Sequence, residues 1–63
     1  MNIYQDTADR LLGISDDWTV GDIREHLMWL IDNPDEIVDG YDKSVFKHEN
    51  VNTIVYWVAK LKS

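Results

Sequence analysis

Taken at 100° per residue, the apolar positions of this chain gather into one-sided arcs, the mark of helices with one buried face. Tyr4, Ala8, Leu11 and Leu12 share an arc, with Asp6, Asp9 and Arg10 opposite. That spacing predicts a helix over 3–12, and Gly13 follows where a left-handed C-terminal cap is expected. Val20, Ile23, Leu27, Leu30 and Ile31 form a second arc, with Met28 at its edge. Thr19 can cap the backbone N–H of Asp22 while Asp22 reaches back, a shortened capping box that starts a helix over 20–32.

Asn33-Pro34-Asp35-Glu36 reads as a further start signal, with Asn as cap, Pro at the first helical position and Glu at the third. It predicts a short helix from 34 to 41, with Ile37, Val38 and Tyr41 on one side and Asp35, Asp39 and Asp42 on the other. In the last segment Val51, Ile54, Val55, Val58 and Leu61 repeat at helical spacing, opposite Asn52, Thr53, Tyr56 and Lys60. Its residue types are β-branched and aromatic, which suit strands, so a hairpin over 44–59 competes with the helix. The expected fold is all-α, a compact domain of three or four short helices. The alternative is α+β, three short helices followed by a C-terminal β-hairpin. The expected core is Leu11, Leu12, Val20, Ile23, Leu27, Leu30, Ile31, Ile37, Val38, Ile54, Val55, Val58 and Leu61.

Size narrows the picture. Residues 1–63 make a single domain, which at this length buries only about 60% of its unfolded surface. A hydrophobic content of 44%, with three Trp and three Tyr, supplies enough bulk to offset chain entropy. Cysteine is absent, which excludes disulfides and a thiolate zinc site and fits a reducing compartment. "MNIYQDTADR" lacks the basic and apolar regions of a secretory signal, and no apolar run reaches the roughly 20 residues of a membrane span. A soluble cytoplasmic protein is expected.

Charge adds direction. The net charge is −6, divided as −9 over residues 1–42 and +3 over residues 43–63. Nine of the twelve acids are Asp, a residue suited to caps and turns rather than helix interiors. Such a field repels nucleic acid and anionic lipid and attracts basic partners. The densest stretch, "DNPDEIVDGYD", holds five carboxylates in eleven residues. It fails as a calcium loop. Counted from Asp32, the sixth and twelfth positions are Ile37 and Lys43; counted from Asp35, the third and twelfth are Ile37 and Phe46.

Other chemistry is thin. Asp22 and His26 stand at i and i+4, with His48-Glu49 elsewhere, a pairing that chance supplies readily in an acidic chain; no metal or cofactor is expected. There is no thiol and no glycine-rich phosphate loop, and so short a chain hardly encloses a substrate pocket, so an enzyme is not expected. Three helices and a hairpin would outline a winged helix-turn-helix, but the reading helix would carry Asp35, Glu36, Asp39 and Asp42 toward phosphates. Direct duplex binding is not expected either.

Trp29 is the informative residue. On the wheel for 20–32 it projects about 160° from Leu27, between Asp22, Glu25, His26 and Asp32. Either another element covers this side, or the indole is an exposed anchor inside a charged rim, the usual anatomy of an interface hot spot. The candidate partner-binding site is therefore Trp29 with Asp22, Glu25, His26, Asp32, Asp35 and Asp39. The expected role is a non-enzymatic acidic interaction protein, a small regulator or inhibitor engaging a basic surface on a protein partner. It could work by imitating a phosphate backbone, in the manner of accessory proteins carried by phages and mobile elements. The alternative is a structural or assembly subunit that associates with itself through Tyr56, Trp57 and the tail.

Overall fold

In the computed structural model, which describes residues 2–14 and 16–63, the chain is an all-α domain. Its helices are α1 (Ile3–Ile14), α2 (Val20–Asp32) and α3 (Val51–Lys62). Three single 3-10 turns, Pro34–Glu36, Lys43–Val45 and His48–Asn50, carry the chain from α2 to α3. No strand occurs among the described residues.

α2 starts as its sequence dictates. The Thr19 hydroxyl accepts from the Asp22 N–H (3.1 Å), and the Asp22 carboxylate accepts from the Thr19 N–H (3.0 Å). Both halves of the capping box are formed. Thr19→Ala should cost roughly 1 kcal/mol, read as a melting temperature lower by about 4–8 °C in a domain of this size. α1 gains its own start from Asn2, whose side-chain oxygen accepts from the N–H groups of Tyr4 (3.0 Å) and Gln5 (3.3 Å). At the other end α1 runs through Gly13 to Ile14. The left-handed glycine is Gly40 instead, at φ 102°, not Gly13.

The helix expected over 34–41 does not form. Only Pro34–Glu36 turn, as a 3-10 helix, and Ile37 is already extended at φ −70°, ψ 122°. The cause is local. Asn33 closes α2 rather than opening a new helix: its N–H bonds the carbonyls of Trp29 (2.9 Å) and Leu30 (3.1 Å), and its side-chain amide donates to Trp29 (2.9 Å). No side-chain cap is left for the next segment. Ile37 turns into the core, while Val38, expected to be buried with it, is 57% exposed.

The hairpin alternative is also excluded, because residues 51–62 are helical. β-branched types yield here to packing: the stripe of Val51, Ile54, Val55 and Val58 is buried along its length. α3 is the common partner, packed against both α1 and α2. The core joins Ala8 and Leu11 from α1, Ile23, Leu27 and Leu30 from α2, and the α3 stripe. Val45 and Phe46, from the irregular connection, complete it although neither was among the expected core residues. Leu61, which was, is exposed in the last turn, lining an open depression with the polar Asn2, Gln5, Asp6 and Asp9 rather than with apolar partners. Leu12, Val20 and Ile31 pack at the core's margin.

Candidate interaction face on α2

Because α1 packs chiefly on α3, the outer side of α2 is left open. Asp22, Glu25, His26 and Trp29 recur there at i, i+3, i+4 and i+7, which aligns them on one face. Trp29 is 48% exposed. The buried side of the same helix holds Ile23, Leu27 and Leu30, so α2 is two-faced rather than covered all round.

Trp18, in the turn before the Thr19 cap, folds onto this face. Its indole meets the His26 ring edge to face, with centroids 5.0 Å apart and planes at 71°. His26 in turn lies nearly parallel to the Trp29 indole, at 6.0 Å and 17°. The three rings and the carboxylates of Asp22 and Glu25 line an open depression of about 560 Å³. The sequence wheel placed four of these residues together. It missed Trp18, although the intervals 18, 22, 26 and 29 carry the helical repeat backward through the cap.

The remaining expected residues do not gather there. Asp32 is exposed in the last turn of α2 and Asp35 in the following 3-10 turn. Asp39 borders a separate, smaller depression of about 220 Å³ with Arg10, Ile14, Val38 and Tyr41. The connection turns away after Asn33, carrying Asp39 from the α2 face.

Electrostatics on the face are lopsided. All twelve acids are exposed. The ion pair found among the described residues, Arg10 with Asp6 at 3.2 Å, lies on α1. Asp22 is tied to the Thr19 N–H, while Arg24 on another side of α2 bonds Asn52 of α3 (2.9 Å). Partial burial between the indoles lowers the pKa of His26, since desolvation disfavours the imidazolium. Its ring is therefore neutral at pH 7.

A proton-sensitive consequence follows. The unfolded chain takes up the His26 proton near pH 6.5, whereas the folded chain resists it until lower pH. His26 thus makes the fold less stable as pH falls from about 6.5 through the folded value. NMR titration of the His26 ring should give a midpoint below the ordinary histidine value of about 6.5.

Among the described residues no three His, Cys, Asp or Glu side chains converge as a metal site would need. Asp22 and His26 share a depression, yet the histidine ring is engaged with two indoles. No helix among the described residues is long and apolar enough to cross a membrane. No protein-family model, curated protein or solved structure matches the chain.

Proposed function

We propose that this protein is a non-enzymatic acidic interaction protein, a small regulator or inhibitor that sets the outer face of α2 against a basic surface on a protein partner. The observation carrying this reading is the half-exposed Trp29 indole, stacked on His26 beside the exposed carboxylates of Asp22 and Glu25. Holding an indole half in water forgoes hydrophobic stabilisation that a contact would recover. Stacking restricts the ring beforehand, so less side-chain entropy is lost when it docks. The carboxylates of residues 16–42 supply steering toward positive surfaces and a field resembling a phosphate backbone. That field suits occupation of a nucleic-acid channel on an enzyme. A cytoplasmic setting and a phage or mobile-element origin belong to the same proposal.

Self-association through the C-terminal segment is the second reading, favoured by Tyr56 at 56% exposure beside Trp57. Lys60 weighs against it. Its ammonium lies 5.7 Å from the Tyr56 ring centre and 5.4 Å from that of Trp57, so a dry contact there would have to displace or bury a charge.

Affinity capture from the native host, run in parallel with the wild-type chain and Trp29→Ala, tests the first reading. A protein retained by the wild type, released by salt and lost with Trp29→Ala is the expected result. Capture indifferent to Trp29 and salt overturns it.

A further inference from the structure

Resting on the reading of α2 as the docking face, we propose that the depression between Trp18 and Trp29 is a receptor for one arginine side chain of the partner, its guanidinium stacked on the aromatic wall and hydrogen-bonded by Asp22 and Glu25. The lining contains five side chains: three aromatic rings and two carboxylates. That composition suits a flat cation. Indole faces attract positive charge, and guanidinium stacks where an ammonium does not. Asp22 and Glu25 stand one helical turn apart, giving acceptors on one rim for a forked donor.

Charges around the depression agree with a cationic occupant. No Lys or Arg lines it. The ammonium of Lys62, from α3, is engaged at its margin with the Trp18 backbone carbonyl (2.8 Å). Arg24 is held by Asn52. A volume of about 560 Å³ exceeds one guanidinium, and the depression opens to solvent, as an arginine arriving on a protein surface requires. Two other depressions among the described residues lack this wall. One is lined by Asn2, Gln5, Asp6, Asp9 and Leu61, without an aromatic ring; the other already holds Arg10.

His26 gives the site a proton dependence. As a neutral ring it is part of the wall; as imidazolium it repels the guanidinium. The charged and titratable groups near it are Asp22 and Glu25 on its own helix and Lys62 at the Trp18 carbonyl. Loss of affinity as the pH falls below the ordinary histidine value of about 6.5 would mark protonation of His26, whose partial burial disfavours the imidazolium.

The test is an NMR titration of the full chain with acetyl-Gly-Arg-Gly-amide and, separately, its citrulline counterpart, which keeps the shape without the charge. The indole N–H signals of Trp18 and Trp29 should shift with the arginine peptide, with Trp57 nearly still. The citrulline peptide should bind about tenfold more weakly or worse. Affinity for arginine should fall as the pH drops below about 6.5 and His26 takes its proton, and His26→Phe should remove that fall while keeping the stack. Equal response to both peptides, or shifts that bypass Trp18 and Trp29, overturns the arginine site. Should the arginine peptide fail while capture still depends on Trp29, the docking face stands and only the guanidinium receptor is lost. An arginine response with capture that ignores Trp29→Ala leaves the receptor and removes the proposed function.

Discussion

Leu27→Ala should lower the melting temperature by roughly 15–25 °C, measured by circular dichroism. Leu27 is fully buried at the centre of α2, where it meets the α3 stripe that both other helices share. Removing its isobutyl group loses the transfer energy of the buried atoms and leaves a cavity, together about 2–5 kcal/mol. Against this, a 63-residue domain commands only about 3–9 kcal/mol in total. With no disulfide or second core to fall back on, most of the margin goes with one side chain. Each kcal/mol moves the transition by about 4–8 °C at this size. A shift of a few degrees would mean that the core does not centre on Leu27.

The opposite face should behave in the opposite way. Trp29→Ala should weaken partner binding by about 2 kcal/mol or more, roughly thirtyfold in Kd. The indole is an apolar surface flanked by carboxylates, and a contact that desolvates it recovers what the free chain leaves in water. Its carboxylate rim acts differently. Neutralising exposed charges changes association rate and salt dependence more than residence time. Isothermal titration of the captured partner at low and high salt separates the two contributions. A shallower salt dependence in Asp22→Asn with Glu25→Gln, and loss of affinity in Trp29→Ala, is the expected pair of outcomes.

How far the sequence could be read depended on whether the deciding interactions were local. α2 was fully legible because its capping box and its 3.6-residue stripe lie within its own span. α3 was legible by period and contradicted by residue type, and burial against two helices decided for period. The 34–41 segment misled because Asn33 has two uses. As an isolated peptide it would cap a new helix; in the fold it terminates the one before. Val45 and Phe46 had no periodicity to announce them, since an irregular connection folds inward by tertiary contact alone.

The α2 face divides the same way. Asp22, Glu25, His26 and Trp29 could be placed together from helix geometry, and Trp18 could have been added by continuing the repeat through the cap. Whether the face is covered was not a local matter. It depended on α1 choosing α3 as its main neighbour, and no residue on α2 records that choice. Asp35 and Asp39 dropped away from the face once the helix meant to carry them failed to form.

Thermal melting of Trp29→Ala beside Leu27→Ala, in one buffer, tests the two-faced character of α2 most directly. A half-exposed indole should cost less than about 1 kcal/mol, within roughly 5 °C of the wild type, while Leu27→Ala falls three or more times as far. A collapse of Trp29→Ala matching that of Leu27→Ala would make the indole part of the core and contradict a docking face there.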